Sequence, residues 1–208
     1  MNGFERRKER KKNNIIQSAQ ELFSMHGVQK VTIQEIAKKA QVSQVTIYNY
    51  FGGKDELLIE TVKAYATNQL EYFRGIVEDS DKNFKDKITS LIHDKHESVM
   101  SLDADFLKTI ISDQPDINAF IQEYYFKEVM PIFMKLIENG KREGAIHPDL
   151  SPQAVMLYID MYYQGLKNHP EIYQTKGDLE RMTHEITHLF FYGLMGNQDE
   201  SIHKKDDH

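Results

Sequence analysis

Residues 32–58, TIQEIAKKAQVSQVTIYNYFGGKDELL, hold two short helix patterns, a tight turn between them and the start of a third helix. Thr32 and Glu35 have the spacing of a capping box, in which each side chain satisfies the other's free backbone donor. Ile33, Ile36 and Ala37 follow on one apolar face at i, i+3 and i+4. The run AQVS breaks that face, and Ser43 is a good N-cap for a second helix over 44–51. Two helices joined this closely form a helix-turn-helix, whose second helix is shaped to enter a major groove. On that helix Ile47 and Phe51 share an inward face, while Gln44, Val45, Tyr48 and Asn49 point toward whatever the helix docks on.

The rest of the chain continues in the same idiom, with no sustained period-2 alternation between turn signals. The pattern predicts an all-α fold of about nine helices. A first helix over 5–26 buries Ile15, Ile16, Ala19, Leu22 and Phe23 and ends at Gly27. A long helix over 55–78 follows the pair of short ones. Further helices are expected over 84–100, 104–112, 115–144, 151–167 and 178–195. Pro131 predicts a kink in the 115–144 segment, because apolar periodicity continues on both sides of it. Ser151 and Pro152 form an N-cap and N1 pair. Residues 197–208 lack apolar anchors and read as a frayed tail.

The net charge of −6 argues by itself against a nucleic-acid partner, but its distribution reverses that argument. Residues 1–54 carry 10 Lys and Arg against 4 Asp and Glu, whereas residues 55–208 carry 16 against 28. The basic excess coincides with the helix-turn-helix, as phosphate neutralisation requires, and the acidic remainder must face away from a duplex. Two units are expected, a head over 1–53 and a body over 54–208. There is no cysteine, no apolar run of membrane-spanning length and no secretory signal at MNGFERRKERKK, so a cytoplasmic protein without disulfides is expected.

The helix-turn-helix segment resembles the DNA-binding signature of the TetR (tetracycline repressor) family. The resemblance is carried by Thr32, Ile36, Ala37, Ala40, Val42, Ser43, Thr46, Ile47, Tyr48, Tyr50, Phe51, Lys54 and Leu57, and upstream by Ala19, Leu22, Phe23 and Gly27. Two positions depart from the pattern. Gln41 stands where glycine is usual, which would place a non-glycine residue at positive φ at a cost of about 1 kcal/mol. Val45 stands where glycine is common and would put a branched apolar group on the recognition face, suited to a thymine methyl. The family pattern implies base-edge contacts from Gln44, Val45 and Tyr48, and phosphate contacts from Thr32, Thr46, Asn49, Tyr50 and Lys54. The chemistry is apt, since a glutamine amide pairs with adenine while hydroxyls and an ammonium suit phosphate oxygens. The run Arg6, Arg7, Lys8, Arg10, Lys11 and Lys12 is either a basic arm reaching DNA or a solvated face paired with Glu5 and Glu9.

One such head offers too little contact area for tight specific binding, so a homodimer reading two half-sites of double-stranded operator DNA is expected. The resemblance implies a four-helix interface from the last two helices, with Val155, Ile159, Tyr163, Met182, Ile186, Leu189 and Phe190 as candidates. It also implies a small-molecule effector among the middle helices. Tyr65, Phe106, Phe126, Met130, Phe133, Met134, Tyr158 and Tyr162 are candidate lining residues, since aromatics and methionines suit an adaptable apolar pocket, although the same spacing also suits core. The expected protein is a regulator released from its operator by an apolar or aromatic molecule, without enzymatic activity or cofactor. A regulator of the same fold without an inducer is the alternative. A remote one is a zinc hydrolase built on His184-Glu185-Ile186-Thr187-His188, which matches H-E-x-x-H. That motif lacks an evident third ligand and has Phe191 where the metzincin extension needs glycine, so no metal site is expected. His93 and His96 have the spacing of a surface clip, but Asp94 and Lys95 between them mark an exposed face.

Overall fold

In the computed structural model of the chain, residues 2–91, 104–111, 114–169, 177–178, 181–182, 185–186 and 188–189 are described. Every regular element among them is helical, and the fold is all-α. Helix α1 spans Gly3–His26. It starts earlier than the periodicity predicts because Asn2 caps it: its side chain accepts from the Phe4 and Glu5 amides at 3.0 and 2.9 Å, and Glu5 returns a contact to the Asn2 amide at 2.9 Å. Helices α2 (Ile33–Lys39), α3 (Gln44–Phe51) and α4 (Lys54–Glu78) follow as expected. Residues 84–91 begin α5, and α6 spans Ala104–Ile111.

The predicted kink at Pro131 takes a different form. Helix α7 (Pro115–Tyr124) runs into a π-helical turn over Tyr125–Val129 and on into α8 (Met130–Arg142). The Met130 amide donates to the carbonyl of Tyr125, five residues back, so the backbone widens just before the proline. Pro131 lacks the amide that an α-helix needs at this point, and its ring would crowd the carbonyl four residues earlier. A single π turn answers both demands without breaking the helix. Helix α9 (Pro152–Asn168) starts where Ser151 and Pro152 predict, with the Ser151 hydroxyl accepting from the Ala154 amide at 3.1 Å.

Two apolar clusters organise the packing. The first joins Ile15, Ala19 and Phe23 of α1 to Ile36, Ile47 and Phe51 of the helix-turn-helix and to Leu57, Leu58 and Val62 of α4. It also contains Phe106 of α6 and Ile117 of α7, so the core of the basic segment continues past residue 53 into the acidic one. The second cluster, farther along α4, unites Leu70 and Val77 with Phe84, Ile88, Leu136, Ile137, Ile146 and Val155. Polar staples hold its edges. Buried Lys87 donates to the Val77 carbonyl at 2.9 Å near the end of α4, and Glu143 accepts from the Phe84 amide at 2.7 Å as α5 begins. No helix among the described residues is long and apolar enough to cross a membrane.

Candidate nucleic-acid interface

The helix-turn-helix is locked locally before it is packed. At the start of α2, Thr32 Oγ1 accepts from the Glu35 amide at 3.2 Å, while Glu35 accepts from the Thr32 amide and hydroxyl, each at 2.8 Å. The Thr32 amide first, then its hydroxyl and the charges of His26 and Lys54, hold the Glu35 carboxyl below the usual carboxylate range. At the other end, the Val42 amide donates to the Ala37 carbonyl at 3.0 Å, and Gln41 sits at φ 56°. This is a Schellman ending, which requires one left-handed residue; here glutamine fills the place glycine normally takes. The sequence left open whether Gln41 strains the turn, and the positive φ answers it. Asn14 of α1 donates to the Ala40 carbonyl at 2.8 Å, and Lys39 pairs with Glu21 at 2.7 Å, so α1 holds the turn from behind.

Helix α3 is capped by Ser43, whose hydroxyl accepts from the Thr46 amide at 3.1 Å. Its Ile47 is fully buried and Phe51 nearly so. That orientation leaves Gln44 and Asn49 exposed, with Val45 at 65% and Tyr48 at 51% exposure. These apolar and aromatic groups stay in water although the head has a core within reach, because the helix turns its other face inward. Tyr50 is half-buried against the head core, and Lys54 is half-buried at the start of α4, where Gly53 supplies no side-chain cap. The candidate phosphate hydroxyls are not equivalent. That of Thr46 shares a 2.9 Å contact with Ser43, and that of Thr32 already donates to Glu35. Thr32 therefore serves first as a cap.

Residues 15–61 match the model of the bacterial regulatory proteins of the TetR family. That segment is a TetR-type DNA-binding region. The chain is 46% identical to the HTH-type transcriptional regulator HbdR of Aromatoleum sp. (strain CIB) over 55 residues, covering 26% of the chain and 24% of HbdR. The fatty acid degradation regulator FadR of Bacillus halodurans has a similar fold, with a TM-score of 0.61 at 19% identity, over 88% of this chain and 96% of that one. FadR of Bacillus subtilis, solved in complex with stearoyl-CoA, gives 0.57 at 20% identity over 86% and 97%. HbdR is a transcriptional regulator, and the FadR proteins are regulators that share this fold.

The eight residues offered as effector-pocket lining in the body are not gathered in one place. Phe106 is fully buried in the head core, stacked on Phe23 at 6.2 Å between ring centres and meeting Tyr65 edge-on at 5.9 Å. Phe106 belongs to the core and the half-buried Tyr65 packs against it, where burial pushes the Tyr65 hydroxyl up to about 12. Phe126 is 61% exposed, Met130 is buried, Phe133 packs against the second cluster and Met134 is half-buried. Tyr158 and Tyr162 meet edge-on at 5.0 Å and share a hydroxyl contact of 3.2 Å. They line a groove of about 330 Å3 together with Met161, Met182 and Ile186.

Among the dimer candidates, Val155 is only 1% exposed and belongs to the protomer's own core, so it is unavailable to a partner. Ile159 packs partly against the same cluster. The stripe that α9 turns outward is instead Leu157 and Met161, each 62% exposed, with Leu189 exposed to the same degree. Sequence reasoning missed this pair because 155/159 and 157/161 are both apolar i, i+4 pairs, and only packing decides which faces inward. The side chain of Tyr163, and all of Phe190, His184, His93 and His96, lie outside the described residues. Among the described residues, no cluster of His, Asp and Glu could hold a metal ion.

Proposed function

We propose that the protein is an operator-binding repressor, dimeric in its working form, that an apolar or aromatic effector releases from DNA. The observation that carries this reading is the exposed face of α3, where Gln44, Val45, Tyr48 and Asn49 stand clear of a core anchored by Ile47 and Phe51. Gln44, Val45 and Tyr48 would read base edges, while Thr46, Asn49, Tyr50 and Lys54 would hold phosphates and set the register. Thr32 would act mainly by capping α2. The outward Leu157, Met161 and Leu189 support pairing of two copies through α9 and the last helix.

The release step uses linkage. An effector that binds better to the conformation with mis-spaced heads lowers operator affinity by that difference in binding free energy. The connection between body and head is physical: α4 carries Leu57, Leu58 and Val62 in the head core and Leu70 and Val77 in the body core. Asp105 of α6 accepts from the Gln29 amide at 3.0 Å, beside the Phe106–Phe23 stack. Among the described residues, buried Asn118 Oδ1 and Tyr125 Oη of the body have no hydrogen-bond partner, and each could accept one from a bound molecule. Because a protein of similar fold is solved with stearoyl-CoA, long-chain acyl thioesters are the first effectors to test.

The test is binding of the purified protein to the promoter beside its own gene, with unrelated competitor DNA, before and after addition of stearoyl-CoA. Competitor-resistant binding with a steep salt dependence is expected, and Tyr48→Ala should lose specific binding far more than non-specific binding. Equal losses on both DNAs would remove Tyr48 from base readout. Binding that no acyl thioester or other apolar compound relieves would favour a regulator without an inducer.

A further inference from the structure

The first helix carries a feature that the helix-turn-helix does not use. Residues 3–11 of α1 are all exposed, and the first residue to enter the core is Ile15. A complete capping box at Asn2 and Glu5 nevertheless makes this stretch helix from its first turn. At about 1.5 Å per residue, residues 3–14 form a rod roughly 18 Å long leading out of the head. Phe4, Arg7, Lys8, Lys11 and Asn14 fall on one stripe at i, i+3 and i+4 spacing.

Alongside this stripe runs an open cleft of about 980 Å3, with Arg7, Lys8 and Lys11 on one wall and Gln41, Asn49 and Tyr50 on the other. Arg10 and Lys12 also border it, and Glu9 is its one acidic neighbour. Lys12 is held by Glu60 at 2.9 Å. Among the described residues, Arg7, Lys8 and Lys11 have no ion-pair partner, and Glu5 and Glu9 make no intrahelical pair with them.

We infer that this basic rod is a second DNA-binding element, which takes the backbone phosphates of the duplex flanking the segment read by α3. The inference rests on the operator-binding reading and extends its footprint. Two observations select the occupant. The cleft is cationic in a chain whose remaining surface is acidic, so its partner is anionic. It is also continuous with the recognition face, because Asn49 belongs to both and the neighbouring Tyr50 borders the cleft; a duplex seated on α3 runs on past Asn49 along the rod. Arg7 and Lys11 are four residues, or about 6 Å, apart along the helix, on the scale of the separation between neighbouring phosphates of one strand. Because the rod is capped and helical before DNA arrives, it presents these charges without first being ordered. Its contacts are with phosphates, so they add affinity and salt dependence without base preference.

The test uses the full chain and a duplex recovered from random-sequence DNA by selection on the wild-type protein, prepared with and without about eight flanking base pairs at each end. Affinity is measured across a salt series for wild type, Arg7→Gln/Lys11→Gln, Arg7→Lys/Lys11→Arg, and the control Lys85→Gln/Lys135→Gln in the body. On the extended duplex, Arg7→Gln/Lys11→Gln is expected to lower the slope of log affinity against log salt by about 2 per subunit, with at least about a tenfold loss of affinity. The charge-preserving variant and the body control should match wild type, and on the trimmed duplex all four should bind alike. An unchanged slope for Arg7→Gln/Lys11→Gln on the extended duplex would overturn the inference while leaving α3 as the reader intact. So would an equal drop in the body control, which would mark bulk charge as the cause. Failure of wild type to select any sequence would overturn both readings together. Since Arg7 and Lys11 are fully outside the core, melting temperatures should be unchanged, which separates lost contacts from lost fold.

Discussion

Gln41 holds a backbone conformation that a side chain disfavours, with φ at 56° between the two helices of the reading head. The left-handed region costs a non-glycine residue about 1 kcal/mol or more, and the Schellman bonds from the turn to Ala37 and Lys38 leave it no alternative. Gln41→Gly is therefore expected to raise the unfolding free energy by up to about 1 kcal/mol, read from urea denaturation. A loss of stability instead would mean that the glutamine side chain contributes more than its backbone strain removes. Gly140 poses the opposite problem. A methyl group there would lie 2.8 Å from Ile146 Cδ1 and from Phe84 Cε2, both in the second cluster. Gly140→Ala should destabilise by about 1–3 kcal/mol through overpacking, and a smaller change in the same denaturation assay would show that α5 yields easily. The position of Gln41 was legible in the sequence as the place where the pattern usually has glycine, while the strain itself shows only in the backbone. The demand on Gly140 was not, since it arises from two side chains distant in sequence.

At the scale of helices, short-range chemistry made most of the architecture legible. The capping box of α2, the Ser43 cap of α3 and the Ser151-Pro152 start of α9 all lie where residue identities place them. These signals act over three or four residues, so no tertiary knowledge is needed to read them. The π turn before Pro131 and the outward stripe of α9 depend on neighbours and escaped the reading. One consequence of the caps concerns pH. Glu35 has its folded-state pKa lowered, chiefly by the Thr32 amide and hydroxyl. A group with that sign contributes stability above its unfolded pKa and loses it as pH falls through the folded value. Thermal unfolding should show the head weakening as pH drops below the ordinary carboxylate range, and Glu35→Gln should flatten that part of the profile. Identical acid profiles for wild type and Glu35→Gln would place the acid sensitivity elsewhere.

For the molecule as a whole, the change of charge near residue 54 and the boundary of the core are different things. The sequence marks the first clearly, but the first apolar cluster runs through it, taking in Leu57, Leu58, Val62, Phe106 and Ile117. Long-range contacts of this kind leave no local pattern, so the sequence shows the change of charge and a connecting helix but not the shared core. Calorimetry is expected to record one cooperative transition for the chain rather than one each for residues 1–53 and 54–208. Phe106→Ala should lower stability by about 3–5 kcal/mol as a core truncation, shifting head and body together; two resolved transitions in the wild-type chain would refute the shared core. The same continuity limits how this protein can be recombined with its relatives. A head grafted at residue 53 would arrive with Ile15 and Phe23 stripped of the partners that α4 and α6 supply. Retargeting to a new operator is better done by repainting the outer face of α3 in place, where Gln44, Val45 and Tyr48 can change without disturbing anything the fold rests on.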